Sequence, residues 1–234
     1  MKAWVTRRWS LGIQTAHSNR VCSAPAPTAI AQNCASVLQH GRILARYSKH
    51  HLPNYSVFDE YRIFIPGDEL LVMRIADVDV ALIICEDLWR EGGPVARVLE
   101  SDAGVLLTIN ASPYERDKDE VRLPLVTRRA VQTNTVVAYV NIVGGQDDLV
   151  FDGDSVVVDG TGTILARAPQ FVEHLLLVDV EAQAASEPDD TGEVPSNVRR
   201  IHLEAPAGAL KSDAISTDIA ALPDDREQIW NALV

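Results

Sequence analysis

Residues 78–94 read VDVALIICEDLWREGGP, and this stretch decides the fold because it joins an apolar strand to a sharp turn. The run from Val78 to Ile84 is apolar at nearly every position, which is typical of a strand covered on both faces in the middle of a sheet. The run ends at Cys85, before two acids, a tryptophan and a Gly-Gly-Pro break. A side chain at such a turn stands clear of the sheet, so Cys85 is either a nucleophile or a buried core cysteine.

Strands and helices alternate on both sides of this stretch. Two strands around a His-Gly turn are predicted in residues 35–51, and a second pair that turns near ADVD is predicted in residues 70–87. A helix at 94–103 and a buried strand at 104–112 follow. This order predicts an α/β (or α+β) layered domain with mixed sheets.

The second half of the domain continues the pattern. Residues 117–135 favour an amphipathic helix with Val121, Leu125 and either Ala130 or Val131 on its apolar stripe, and with Pro124 close to the first turn. Further strands are predicted within 136–145, in a hairpin at 154–167 that turns at DGTG, and at HLLLVDV, residues 174–180.

Composition excludes several classes of function. The chain has 234 residues, is 47% hydrophobic and carries a net charge of -12, which argues against a nucleic-acid or anionic-membrane surface. No uninterrupted apolar run is long enough to cross a membrane. The cysteines at positions 22, 34 and 85 show no metal-ligand spacing. We therefore expect a protein of the reducing cytoplasm that binds neither metal, nucleic acid nor membrane.

Charge and periodicity divide the chain into three parts. Residues 1–58 contain seven Lys or Arg and neither Asp nor Glu. Residues 1–32 show no strand or helix periodicity and are predicted to be an unrelated or disordered leader, with a targeting segment as the alternative. Residues 33–182 form the predicted domain, and 183–234 read as a Pro-, Asp- and Ala-rich linker that ends in a short helical signal.

Three chemically active side chains come where predicted strands end. Lys49 follows one strand, Cys85 ends another, and Ser112 lies in the polar turn after a third. In α/β sheets, sites gather at the carboxyl ends of strands. We therefore expect Lys49, Cys85 and Ser112 to lie together, which favours the nucleophile interpretation of Cys85.

Four stretches carry a family resemblance: YSKHHLPNYSVFDEYR (47–62), ICEDLWREGGP (84–94), INASPYERDKDEVR (109–122) and NIVGGQDDLVFDGDS (141–155). In this order they resemble the nitrilase, or carbon–nitrogen hydrolase, superfamily. More narrowly, they are similar to the glutamine amidohydrolase domains of glutamine-dependent NAD⁺ synthetases. The resemblance implies a four-layer α-β-β-α sandwich with mixed sheets, a thioester-forming Glu-Lys-Cys triad and NAD⁺ biosynthesis as the setting.

The resemblance also implies roles for individual residues. Cys85 matches the thiol nucleophile, Lys49 the ammonium that supports the tetrahedral intermediate, and Glu60 a second acid with a positioning role. The residues that match the contacts of the glutamine substrate are Tyr55, Glu86 and Ser112. The implied partners are glutamine, a synthetase domain or chain that receives ammonia, and further copies of the chain in a homo-oligomer. The amidase chemistry needs no cofactor, since ATP and deamido-NAD⁺ belong to the synthetase domain.

The chain departs from the family pattern in three places. The Glu of the triad lies upstream of the Lys in the family, whereas the first carboxylates here are Asp59 and Glu60. We therefore expect the first strand and helix of the domain to be absent. We also expect the synthetase domain to be absent. Ser56 stands where the family usually has Gly, and would destabilise a turn that needs positive φ. An inactive truncated remnant or binding module, and another amide- or nitrile-cleaving branch, remain the alternatives.

Overall fold

The computed structural model describes residues 4–6, 31–186, 196–204 and 218–234. Most of the predicted leader, residues 7–30, therefore lies outside the described residues. None of the helices in the described ranges is long and apolar enough to cross a membrane.

Strands dominate the described part of the chain. They are β1 Trp4–Thr6, β2 Cys34–Gln39, β3 Arg42–Ser48, β4 Leu70–Ile75, β5 Val78–Ile84, β6 Val105–Asn110, β7 Val136–Asn141, β8 Val143–Gln146, β9 Leu149–Asp152, β10 Val156–Val158, β11 Ile164–Arg167, β12 Glu181–Gln183 and β13 Val198–Leu203. The helices are α1 Glu86–Trp89, α2 Gly93–Glu100, α3 Asp119–Thr133 and α4 Asp225–Leu233, with a single 3₁₀ turn at Glu60–Arg62.

Seven strands form the main sheet, in the order β11-β10-β7-β6-β5-β4-β13. The β5–β6, β6–β7 and β4–β13 pairs are parallel, and the β4–β5, β7–β10 and β10–β11 pairs are antiparallel. The predicted layered α/β fold with a mixed sheet is therefore confirmed. The hairpins predicted around His40-Gly41, at ADVD and at DGTG are confirmed as β2–β3, β4–β5 and β10–β11.

The three central parallel strands bring their carboxyl ends to one edge of the sheet. Ile84 at the end of β5 pairs with Ile109, and Asn110 at the end of β6 pairs with Asn141 at the end of β7. The residues that follow these strands, Cys85 among them, must therefore emerge side by side.

The side chains of the main sheet pack into a core on each of its two faces. On β7, Val137 and Tyr139 belong to the large cluster that also contains residues of the helices, whereas Val136 belongs to a second, smaller cluster. Successive side chains of a strand point to opposite faces, so the sheet is covered on both. All seven residues of β5 are buried, as the apolar run predicted.

Two details of the predicted elements are wrong. Residues 174–180 form no strand; Leu176, Val178 and Val180 pack on the smaller cluster from an extended chain, so the alternation reflects burial without ladder hydrogen bonds. The apolar stripe of α3 is only partly as predicted: Leu125 and Ala130 are buried, whereas Val121 and Val131 are exposed. Its buried face consists of Arg122, Leu125, Val126, Arg129, Ala130 and Thr133.

The segment that was predicted to be a linker contributes to the main sheet. Val198–Leu203 form β13, which pairs in parallel with all six residues of β4. Further on, Asp225–Leu233 form α4, as the short helical signal predicted, and the Asp224 side chain caps this helix by accepting from the backbone N–H groups of Arg226 and Glu227.

Candidate active site

Lys49 directly follows β3 and is buried, with only 2% of its surface exposed. Its Nζ donates to Oε1 of Glu60 at 2.6 Å, so the buried ammonium has a carboxylate partner. The backbone is held on both sides, since Lys49 N donates to Asn33 O and Gly67 N donates to Lys49 O, both at 2.8 Å. Gly67 is required there, because a Cβ would lie 2.3 Å from Ser48 O.

Cys85 occupies the turn between β5 and α1 in a strained conformation. Its backbone has φ 44° and ψ -99°, a region that residues other than glycine rarely adopt. The backbone N–H donates to Ile109 O at 3.0 Å, which anchors the turn to β6. Burial raises the pKa of the Cys85 thiol, and the charge of Lys49 opposes this effect. The strained turn therefore presents a protonated thiol within the field of a buried ammonium.

Glu86 is buried and its two oxygens are shared between two side chains. The Tyr55 hydroxyl donates to Oε2 and Arg90 Nε donates to Oε1, both at 2.8 Å. Tyr55 and Arg90 are about half exposed, so this carboxylate lies at the opening of the site. Burial and the bond to Glu86 raise the pKa of Tyr55. The group is suited to accept a cationic group from a ligand.

Ser112 is buried in the turn after β6. Asn141, at the end of β7, holds it from the next strand: its Oδ1 accepts from Ser112 N at 2.9 Å and its Nδ2 donates to Ser112 O at 3.2 Å. Asn141 is a residue that sequence reasoning missed, although its place at a strand end was the available signal.

The loops around the site are fitted closely to one another. Gly93 has φ +50°, and a Cβ there would lie 2.8 Å from His51 Nε2. Burial and the neighbouring His50 lower the pKa of His51 to about 4, so its ring is neutral at neutral pH. Ser56 has φ +53°, which confirms the expected strain where Gly would fit without cost.

The structure thus brings five of the six predicted site residues into two connected groups, and places Ser112 at the same sheet edge. Lys49 contacts Glu60, Tyr55 contacts Glu86, and Cys85 precedes Glu86 directly. Ser112 reaches the same sheet edge through β6. The part of the chain that the structure describes contains no cluster of three or more His, Cys, Asp or Glu side chains that could hold a metal ion.

Comparison with known proteins gives one family match. The carbon–nitrogen hydrolase family model matches residues 7–187. A glutamine-dependent NAD⁺ synthetase of Xanthomonas campestris is 47% identical over 155 residues, which cover 65% of this chain and 28% of that protein. The chain spans about a quarter of the length of such curated relatives.

Solved structures agree with the sequence match. The glutamine-dependent NAD⁺ synthetase of Acinetobacter baumannii superposes with a TM-score of 0.60 at 39% identity, over 62% of this chain and 28% of that one. A carbon–nitrogen hydrolase from Helicobacter pylori shares the fold, with a TM-score of 0.57 at 22% identity, over 66% of this chain and 56% of that one. The nitrilase-type fold implied by the sequence motifs is therefore confirmed.

Proposed function

Because the chain belongs to the carbon–nitrogen hydrolase family, we propose that it hydrolyses the side-chain amide of glutamine to glutamate and ammonia. The observation that carries the proposal is the ion pair of the buried Lys49 with Glu60. The Lys49 ammonium lowers the pKa of the Cys85 thiol, which lies in a strained turn. A structural cysteine would need neither the strain nor a buried cation beside it.

In the proposed reaction, Cys85 Sγ attacks the amide carbon. A C–S bond forms and the C–N bond breaks; the thiol proton passes to the departing nitrogen, which leaves as ammonia. Water then cleaves the thioester, which yields glutamate and restores the thiol. The Lys49 ammonium stabilises the oxyanion of the tetrahedral intermediates, and Glu60 holds that ammonium in place.

Glu86 and Tyr55 account for selection of an amino-acid substrate. The Glu86 carboxylate binds the α-ammonium of glutamine, and Tyr55 keeps that carboxylate oriented. Ser112, held by Asn141, contacts the substrate from the β6 side. A simple aliphatic amide lacks the α-ammonium and would gain nothing from Glu86.

We further propose a setting for this activity. The ammonia passes to a synthetase domain or chain, as the names of the similar proteins suggest. ATP and deamido-NAD⁺ would be used there, while the amidase step needs no cofactor. A reducing cytoplasm keeps Cys85 as a free thiol, and assembly into a homo-oligomer is compatible with this role.

The test is glutamate release from glutamine by the purified chain. We expect Cys85→Ala to abolish release and Lys49→Met to lower kcat/KM by about 10²–10³-fold, the usual effect of losing one oxyanion donor. Glu86→Gln should act mainly by raising KM for glutamine. Cys34→Ala, at a cysteine of β2 outside the proposed site, is the matched control and should leave the rate unchanged.

Equal rates for the wild type and Cys85→Ala would contradict the proposal. A second candidate, a binding module without turnover, is favoured by the absence of any carboxylate before Asp59 in the sequence. Calorimetric binding of glutamine that depends on Glu86, without glutamate release, would identify it. Hydrolysis of acetamide or nitriles without hydrolysis of glutamine would instead indicate another branch of the family.

A further inference from the structure

Asp87 has no place in the proposed chemistry, yet it is fully buried two residues after Cys85. Resting on the proposed function, we infer that Asp87 is a positioning residue: its carboxylate ties the segment that carries Lys49 to the turn that carries Cys85.

The contacts of Asp87 come from both segments. On the lysine side, His51 N donates to Oδ1 at 2.7 Å, and His50 N donates to the same oxygen at 3.2 Å. Tyr47, at the end of β3, donates its hydroxyl to Oδ2 at 2.7 Å. On the cysteine side, Ile84 N donates to Oδ2 at 3.2 Å.

These contacts flank both reacting residues. Tyr47 lies two residues before Lys49, and His50 directly follows Lys49. Ile84 directly precedes Cys85. A shift of either segment would therefore stretch bonds to Asp87 before it moved Lys49 relative to Cys85. Such precision matters, because a misplacement of about 1 Å can lower an enzymatic rate by about 10²-fold.

The contacts require a carboxylate. All four groups that meet Asp87 are donors, so both of its oxygens must accept. An amide has a single oxygen and would turn its NH₂ group toward two further donors. Burial raises the pKa of Asp87, while the bonds from His51, Tyr47 and Ile84 oppose the rise. The hydrogen bonds thus support the charged form in a site without solvent.

The experiment compares three variants of the full chain. Asp87→Asn keeps the volume but removes one acceptor, and Tyr47→Phe removes a single donor while keeping the ring in the core. Asp79→Asn is the matched control, since Asp79 is also buried but binds Arg74 and Arg200 away from the two segments. Each variant is tested for kcat and KM with glutamine, for thermal unfolding, and for the pH dependence of iodoacetamide alkylation of the Cys85 peptide.

We expect Asp87→Asn to lower kcat by about tenfold or more, with a smaller change in KM. The midpoint of Cys85 alkylation should move to higher pH, because the displaced ammonium no longer favours the thiolate. Tyr47→Phe should shift both quantities in the same direction by less. Asp79→Asn should lower the unfolding temperature only.

The inference is overturned if Asp87→Asn and Tyr47→Phe keep the wild-type alkylation midpoint, or if Asp79→Asn shifts it equally. Should Asp87→Asn fail to fold, Tyr47→Phe decides the question. The alkylation profile does not depend on glutamine turnover. A chain that alkylates as expected but releases no glutamate would therefore refute the proposed function and leave the positioning role of Asp87 standing.

Discussion

At the scale of single residues, the backbone conformation of Cys85 lowers the stability of the fold, and the proposed role of the thiol gives a reason for it. Its φ of 44° and ψ of -99° lie where a Cβ clashes with the adjacent peptide groups, at a cost of about 1–3 kcal/mol. Two backbone hydrogen bonds hold the turn in this state: Cys85 N donates to Ile109 O, and Ile84 N donates to the Asp87 carboxylate. The chain therefore gives up stability where the thiol must face the site.

This strain leads to a prediction about Cys85→Gly. Neither Cys85→Gly nor Cys85→Ala has a thiol, but only glycine adopts this conformation freely, so the glycine variant should be more stable by about 1 kcal/mol. The measurement is the free energy of unfolding in urea. At Arg128, on the exposed face of α3, the same pair of substitutions should show the opposite order, since glycine costs about 1 kcal/mol in a helix. If the alanine variant were the more stable one at both positions, Cys85 would not be strained.

How far single residues could be predicted depends on what marks them in the sequence. Lys49, Cys85 and Ser112 could be placed together, because each follows a strand and parallel strands end at one edge. Asp87 and Asn141 could not, because no pattern reveals which backbone N–H groups a buried acceptor will meet. Both were visible as polar residues beside strand ends, but their partners depend on the loops that fold over them.

At the scale of elements, the buried face of α3 contains arginines beside the predicted apolar residues Leu125 and Ala130. Arg122 is 1% exposed and donates to both oxygens of Asp152 in β9, at 2.8 and 2.9 Å. Arg167 of β11 binds Asp154 in the same way, at 2.6 and 2.9 Å, and Asp154 also approaches Arg122. Two cations and two anions thus cancel inside the protein, which periodicity alone cannot foresee.

This network leads to a prediction about Arg122→Met. The substitution leaves the Asp152 charge buried without its main partner, and we expect a loss of about 3–5 kcal/mol in the free energy of unfolding. Adding Asp152→Leu should recover most of that loss, because the uncompensated charge is then removed as well. Arg128→Met, on the exposed face of the same helix, is the control and should change stability by no more than about 0.5 kcal/mol. A double variant as unstable as the single one would show that α3 needs the ion pair itself.

At the scale of the whole molecule, β13 completes the sheet from a distant part of the chain. Its Arg200 binds Asp79 of β5 and also donates to Ser101 O at 2.7 Å, so it crosses β4 to reach the next strand and the end of α2. Arg74 binds the same carboxylate from β4. The segment looked like a linker because Pro, Asp and Ala surround it, and its short alternating run RRIHL carries few apolar residues. Such an edge strand is stabilised by backbone pairing and ion pairs, which composition does not report.

Two truncations test how the molecule depends on this strand. A chain ending at residue 223 loses α4, whose described ion pair, Arg116 with Asp225, is exposed on both sides, so its free energy of unfolding should fall by no more than about 1 kcal/mol. A chain ending at residue 195 also loses β13 and the bridge between Ile219 and Arg167, which leaves the six residues of β4 as an open edge and Asp79 with one cation fewer. We expect that chain to lose at least about 2 kcal/mol, since several buried hydrogen bonds are broken at once.

The open edge should also change the association of the shorter chain. Unpaired N–H and C=O groups along an apolar strand invite pairing with another copy, so sedimentation velocity should show dimers or larger species for the chain ending at 195 and not for the chain ending at 223. If both truncations unfold alike and sediment alike, β13 is only appended to the sheet. If only the shorter chain loses stability and associates, the described residues after 195 that pair with the sheet, at 196–204 and 218–220, belong to the folded domain as much as the strands that carry Lys49 and Cys85.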